Sequence, residues 1–385
     1  MKKILIACRA YYPDIAGGGE ISTKTLSETL VKLGFDVTVL TISDSDKKEN
    51  VEGVLVHRIK YKNVYWSFKN ADAGPVKKIA WHLIDSNNIF IEGGLKKILA
   101  EVNPDVLITS TIEDISSIIW KVAKSNKIRT VHILRSYSLL CPNANMFKED
   151  NCDSRCKLCE TITLPKKHNS KYVDDVIGIS HFVVDEHLKY GYFSAAKKHV
   201  IYNICLGVVI DQRLYNGFKQ GKIKIGYLGR VHKTKGIDII FKALSRISAE
   251  LKGKIEVHIA GTGDEEYIEE LKILANSFDV KCHFLGNRNA NDFLDSVDLL
   301  IVPSKWNEPF GRVLIESMGR HVPVAGKNVG GIPELLTANK DFLFDDEVGL
   351  VQIINKFVNG EIEFDFKLQE FRTENIINKW SELLM

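Results

Sequence analysis

Ile223-Lys224-Ile225-Gly226-Tyr227-Leu228-Gly229-Arg230-Val231-His232-Lys233-Thr234-Lys235-Gly236 decides the fold. A short apolar run ends at Leu228 and gives way to a loop of glycine and cations. Apolar residues then recur at helical spacing over 237–248. Strand, loop and helix in that order form the repeating unit of a parallel sheet. Downstream the unit recurs, with strands expected at 255–260, 282–285, 299–302 and 323–325 and helices at 265–277, 291–296 and 311–319. Upstream lies a second series. Its strands are expected at 3–8, 36–42, 54–59, 105–109, 129–134, 176–179 and 199–204, and its helices at 20–33, 76–99, 113–126 and 181–190. The polar stretch 217–221 reads as the end of the linker between the two series. A chain of 385 residues exceeds what one core usually serves. The expectation is an α/β protein of two Rossmann-like domains with parallel sheets facing a central cleft, where ligands bind beyond the carboxyl ends of the strands. The boundaries are set at 1–208 and 209–365. Residues 366–385 form a C-terminal helix that packs back on the first domain.

Composition narrows the function classes. The hydrophobic share of 45% and charged share of 26% are those of an ordinary globular protein. No apolar run is long enough to span a bilayer, and the run after Lys3 is too short for a signal peptide, so a cytoplasmic location is expected. The net charge of +3 is uneven: residues 1–205 hold 29 Lys+Arg against 23 Asp+Glu, and the remainder 23 against 26. Paired cations at Lys77-Lys78, Lys96-Lys97, Lys166-Lys167 and Lys197-Lys198 suit an anionic membrane surface as a partner, though the same pairs fit solvated helix faces. No basic cluster is interleaved with aromatics, which argues against nucleic acid.

The richest chemistry lies in Glu308-Pro309-Phe310-Gly311-Arg312-Val313-Leu314-Ile315-Glu316. A helix opening at Gly311 turns the backbone N–H groups of its first turn toward a ligand, which suits a diphosphate and makes Phe310, Gly311, Arg312 and Val313 donor-binding candidates. Glu308 in the loop before it can accept from sugar hydroxyls, and Glu316 inside the helix from a ribose diol. Read alone, both could be surface glutamates.

Together these residues resemble the signature of glycosyltransferase family 4. Val302-Pro303-Ser304-Lys305-Trp306-Asn307 before the signature and Gly330-Gly331-Ile332-Pro333-Glu334 after it are similar to the flanking runs of that family. The resemblance implies a GT-B fold and a retaining, metal-independent hexosyltransferase with no cofactor for catalysis. It implies a nucleotide-sugar donor, a glycan or lipid-linked acceptor and cell-surface polysaccharide synthesis; peripheral association with the inner face of a membrane is the expectation from the charge of residues 1–205. Arg230 and Lys235 look like the family's two cations for the donor diphosphate. Cations placed where charge grows in the transition state accelerate the reaction most. Gly17-Gly18-Gly19-Glu20 fits the family's glycine loop; its spacing is wrong for a dinucleotide fingerprint, which disfavours a nicotinamide dehydrogenase. Arg135-Ser136 stands where the family commonly places His-Asp. Arg135 cannot act as a base, but it can meet a phosphate or an acidic acceptor. His132 reads as a packed histidine, and His321 replaces a family glycine after the signature helix.

Seven cysteines are present. Cys8, Cys205 and Cys282 lie in apolar runs and read as core residues. Cys141, Cys152, Cys156 and Cys159 are clustered, and four thiolates can hold a structural zinc. Three other readings stand beside the transferase. A sugar-nucleotide epimerase shares the fold but needs acid and base groups at the sugar. A dehydrogenase fails on the glycine spacing. An inactive scaffold or sugar-binding protein is left open by Arg135.

Overall fold

The computed structural model describes residues 1–15, 17–69, 73–205 and 222–385. The expected linker at 217–221 and the boundary at 208/209 lie outside the described residues. Two compact units are present. Unit 1 comprises Met1–Met146, Cys152–Ile204 and Ile376–Met385, and unit 2 comprises Phe147–Asn151 and Cys205–Asn375.

Unit 1 is built on eight strands: β1 (Lys3–Cys8), β2 (Asp36–Ser43), β3 (Lys47–Val51), β4 (Val54–Lys60), β5 (Val106–Ser110), β6 (Arg129–Leu134), β7 (Asp175–Gly178) and β8 (Lys197–Val200). They lie in the order β3-β4-β2-β1-β5-β6-β7-β8, parallel except for β3, which runs antiparallel to β4. The residues from Ile4 to Cys8 are fully buried, as befits a central strand covered on both faces. β3 was not expected. Its sequence, Lys47-Lys48-Glu49-Asn50-Val51, has no apolar face because it forms the sheet edge, where charge discourages further pairing.

Two helices differ from expectation, each for a local reason. The stretch 76–99 forms two helices, Pro75–Ser86 and Glu92–Val102. Between them the Asn88 side chain accepts from Phe90 N–H at 3.0 Å, and Asn88 N–H donates to Ser116 Oγ at 2.8 Å. Asparagine here offers the backbone a turn in place of helix. The helix expected over 113–126 starts only at Ile118, because Asp114 and Ser116 take φ of +65° and +75°. The C-terminal helix spans Thr373–Leu384. Within unit 1, Lys2 Nζ donates to the Leu384 and Met385 carbonyls at 2.6 Å, and Arg129 Nη1 to the Leu383 carbonyl at 2.8 Å. Cations satisfy the last carbonyls of that helix, which otherwise lack partners.

Unit 2 carries six parallel strands: β9 (Ile223–Leu228), β10 (Ile255–Ala260), β11 (Cys282–Gly286), β12 (Leu299–Val302), β13 (Val324–Lys327) and β14 (Leu343–Phe344). Their order is β11-β10-β9-β12-β13-β14. Ile223, Ile225 and Tyr227 of β9 join Ile255, Val257 and Ile259 of β10 in one apolar core. The chain order reverses direction beside β9, so the loops after β9 and β12 flank a switch point of the kind that hosts ligands in such sheets.

Candidate active site

The loops after β9 and β12 are stitched together within unit 2. Lys305 N–H donates to the Thr234 carbonyl at 2.8 Å. Gly236, at φ +67°, lies so close to β12 that a Cβ there would sit 2.1 Å from the Pro303 carbonyl oxygen. Only glycine satisfies both the left-handed backbone and the contact. This stitching delivers Lys235 to Glu308: its Nζ donates to Glu308 Oε1, which also accepts from Ser304 Oγ at 2.7 Å. The ammonium sits 5.0 Å from the Trp306 ring centroid, a cation–π contact.

Glu308 is buried, with 8% of its surface exposed. Burial alone would raise its pKa, but the charge and hydrogen bond of Lys235, with further bonds from Ser304 and Trp306, outweigh it and hold the carboxyl below its ordinary range. The group is therefore a fixed carboxylate. Gly331 N–H donates to the Glu308 carbonyl at 2.7 Å, and a Cβ on Gly330 would fall 2.4 Å from that same oxygen. The glycine pair after β13 is thus the buttress of Glu308, which gives that flanking run its physical sense.

Gly311 occupies φ +98° and caps the helix Arg312–Gly319. A Cβ on Gly311 would meet Leu314 Cδ1 at 2.8 Å. Phe310 is buried and anchors the turn. Arg312 and Glu316 pair with each other, Nη2 to Oε1 at 3.1 Å. Arg230 is exposed on the loop after β9. Tyr227 Oη donates to the Arg230 carbonyl at 2.8 Å and holds the loop from below.

Three features of this unit escaped the sequence reading. Gly261 and Gly263 follow β10, and Cβ atoms there would sit 1.8 Å from the Gly229 and Val231 carbonyl oxygens. The loop carrying Arg230 therefore rests on bare backbone, and Gly261-Thr262-Gly263 directly after a buried strand was the available signal. Asn151 was assigned with the cysteine segment to the first domain. It belongs to unit 2, where its Nδ2 donates to the Lys305 carbonyl at 2.7 Å and its Oδ1 accepts from Asn307 N–H at 2.8 Å. No local pattern marks an asparagine for that long-range role. Ser304, read only as part of a flanking run, is a direct ligand of Glu308.

In unit 1, the glycine loop opens the helix Gly18–Lys32, and Gly17 N–H donates to Glu20 Oε2 at 3.0 Å. Gly18 and Gly19 thus form the first turn of a helix after β1. Arg135, just past β6, donates from Nε to Ser110 Oγ at 2.9 Å and from Nη1 to Asn203 Oδ1. Both of these acceptors are neutral. His132 is buried, bonds Thr109 Oγ1 at 2.8 Å and packs against Trp120 and Phe193. Burial, aided by His187 and Arg135, pushes its pKa down to about 3, so it is neutral and structural. After β5, Asp114 is buried, accepting from Trp81 Nε1 at 3.1 Å and Ser67 Oγ at 2.6 Å. Burial and the neighbouring Asp85 lift its pKa to about 6.

Burial raises the thiols of Cys8, Cys205 and Cys282 to about 12, which makes them unreactive. In the cysteine segment, Cys156 and Cys159 sulfurs lie 3.5 Å apart. Burial, Cys141 and Cys156 together raise the Cys159 thiol. Among the described residues, three candidate metal ligands come within 4.8 Å of one another only at Glu256, His258 and His283. No described helix is long and apolar enough to cross a membrane.

Two parallel α/β units, with strand-end loops that present a carboxylate, cations and a helix start, define a GT-B glycosyltransferase. Comparison with known proteins agrees: "Glycosyltransferase Family 4" matches residues 16–205 and "Glycosyl transferases group 1" matches residues 210–376. The chain belongs to this family of glycosyltransferases. It is 33% identical over 349 residues to an uncharacterized 42.6 kDa protein in the cps region of Klebsiella pneumoniae, covering 90% of each chain. It is 26% identical to an uncharacterized glycosyltransferase of Methanocaldococcus jannaschii, over 87% of this chain and 82% of that one. Among solved structures, Anabaena HepE in complex with UDP aligns with a TM-score of 0.71 at 17% identity, covering 100% of this chain and 99% of that one. The apo lipopolysaccharide outer core galactosyltransferase WaaB aligns with a TM-score of 0.68 at 17% identity, covering 99% and 98%.

Proposed function

We propose that this glycosyltransferase moves a hexose from a nucleotide-sugar to a glycan or lipid-linked acceptor, with retention of configuration and without a catalytic metal, in cell-surface polysaccharide synthesis. The observation that carries the reading is the Lys235–Glu308 pair, held at the carboxyl ends of β9 and β12 beside the helix that starts at Arg312. Lys235 and Arg230 meet the diphosphate, whose charge grows as the glycosidic bond breaks. Backbone N–H groups from Phe310 to Val313 add partial positive charge. Glu308 orients Lys235 and accepts from the donor sugar, and Glu316 accepts from the ribose. Gly18 and Gly19 of unit 1 contribute to donor binding, and Arg135 to catalysis. The cps-region relative and a donor-type ligand in HepE support the polysaccharide setting and the nucleotide-sugar.

The test is a panel of nucleotide-sugars, first by thermal shift and then by release of nucleoside diphosphate in the presence of acceptor extracts. Glu308→Gln should bind the same donor with strongly reduced turnover. A second reading, a sugar-binding scaffold without turnover, is favoured only by Arg135 in place of histidine; donor binding without diphosphate release would select it.

The cysteine segment is proposed to carry one structural zinc on Cys141, Cys152, Cys156 and Cys159. The Cys156 and Cys159 sulfurs already lie together, and the metal would draw in Cys141 and Cys152. Elemental analysis of tag-free protein should find about one equivalent; four freely titratable thiols would end the idea.

A further inference from the structure

Unit 2 carries a second group of metal-ligating side chains, within strands β10 and β11 rather than on the loops after β9 and β12. β10 alternates: Ile255, Val257 and Ile259 enter the core, so Glu256 and His258 project from the opposite face. β11 is the sheet edge, and its His283 is the direct register partner of His258. Glu256 Oε2 lies 3.7 Å from His258 Nε2 and 3.6 Å from His283 Nε2. The two imidazole rings are 4.9 Å apart.

The carboxylate is divided between two tasks. Oε1 accepts from Lys222 Nζ at 2.6 Å and from Lys281 Nζ at 2.7 Å. Oε2 is the oxygen turned toward the histidines. His258 Nε2 is buried and has no partner within hydrogen-bond distance. An orphaned imidazole nitrogen under a sheet face is a ligand atom awaiting something. Two imidazoles and one carboxylate form a set that zinc accepts with an open position. Zinc bonds of that kind place tetrahedral ligands about 3.3 Å apart. The two observed spacings exceed that by a few tenths of an ångström, and all three ligand atoms already lie within 4.8 Å of one another, the His283 ring being half-buried at the sheet edge.

We propose that Glu256, His258 and His283 form a binding site for a divalent transition metal, zinc foremost, which clips edge strand β11 to β10. Lys222 and Lys281 act from behind: they keep the carboxylate ionised and turn its second oxygen outward, and their charge limits the affinity. The role is structural. Glu256 and His258 lie in the body of β10, whereas Arg230, Lys235 and Glu308 follow the carboxyl ends of β9 and β12. The proposal does not depend on the transferase reading, and its readout is metal binding.

The experiment uses full-length, tag-free protein stripped with chelator, titrated with zinc against a chromophoric competitor and with cobalt by absorption. Cobalt held by nitrogen and oxygen gives ligand-field bands without thiolate charge transfer, so this site is read separately from the cysteines. Wild type should take up one such equivalent, which H258Q/H283Q loses. Glu256→Gln should weaken it at least tenfold, and saturating zinc should raise the Tm of wild type more than that of the double variant. Turnover of H258Q/H283Q should equal that of wild type. Equal uptake of thiolate-free metal by wild type and the double variant overturns the site. Should the double variant lose stability in chelator, His283→Gln alone carries the test: a tenfold loss supports the site, and unaltered binding overturns it.

Discussion

Two buried carboxylates show how residue environment sets opposite pH behaviour. Glu308 is held below its ordinary value of 4.5, chiefly by Lys235 against the opposing effect of burial. A depressed carboxyl contributes stability above its unfolded pKa and loses it as pH falls through the folded value. The stability difference between wild type and Glu308→Gln should therefore shrink below about pH 4.5 in urea titrations, as a carboxyl of ordinary pKa about 4.3 takes its proton. Asp114 is the reverse case, raised from 3.8 to about 6 by burial and Asp85. Its penalty is absent below 3.8 and grows as pH rises toward 6. Asp114→Asn keeps the shape and relieves that penalty, so it should gain about 1–3 kcal/mol relative to wild type between pH 4 and 7. A pH-independent difference would refute the assignment. Lys235→Ala leaves Glu308 buried without its counter-charge and should lose about 1–3 kcal/mol as well as turnover. Normal stability with lost turnover would mean that the pair is not formed in solution.

At the level of elements, the loops after β9 and β10 are the sharpest case of backbone deciding function. Gly261 combines φ +146° with a 1.8 Å approach to the Gly229 oxygen, so Gly261→Ala must push the Arg230 loop away. Its unfolding midpoint should fall strongly, and donor affinity should fall at least tenfold. Gly286, at φ +65° and with nothing within 4 Å of a Cβ added there, is the control. There alanine meets only the left-handed strain of about 1–2 kcal/mol, and donor affinity should hold. Equal effects from the two variants would contradict the loop-packing account. The same contrast explains what could be read in advance. The strand Ile223–Leu228, its loop and the helix at Arg312 announce themselves by apolar period and glycine placement. The break at Asn87-Asn88 and the left-handed Asp114 and Ser116 depend on partners distant in sequence, whereas β3 pairs with its neighbour β4 but has no apolar signature because it lies at the sheet edge. Glu308 was legible as a carboxylate beside a helix start. That Lys235, Gly330 and Asn151 all converge on its loop was not, because each arrives from a separate segment.

Across the whole molecule, most of the exposed large apolar side chains among the described residues fall on unit 1, the unit that also carries the excess of positive charge. Residues 1–205 carry 29 Lys+Arg against 23 Asp+Glu. The helix Pro75–Ser86 exposes Val76 at 79%, Ile79 at 47% and Leu83 at 55%, which share one face by their spacing. Lys77 and Lys78 stand on the same helix, and Phe90 just beyond it is 67% exposed. An amphipathic helix of this make-up can lie in a membrane interface, with apolar side chains among the acyl chains and lysines at anionic headgroups. The proposed lipid-linked acceptor would be met there. Full-length protein should float with vesicles containing anionic lipid at low salt and much less at high salt, since exposed charges are screened within about 10 Å at 0.1 M. Because the apolar residues are exposed, Val76→Asp with Leu83→Asp should leave the unfolding midpoint within a degree or two and abolish flotation, by placing charge in the acyl region. Loss of binding with salt but not with the aspartates would assign the contact to lysines alone. No flotation at low salt would remove the membrane from the account and leave acceptor recognition to unit 1 in solution.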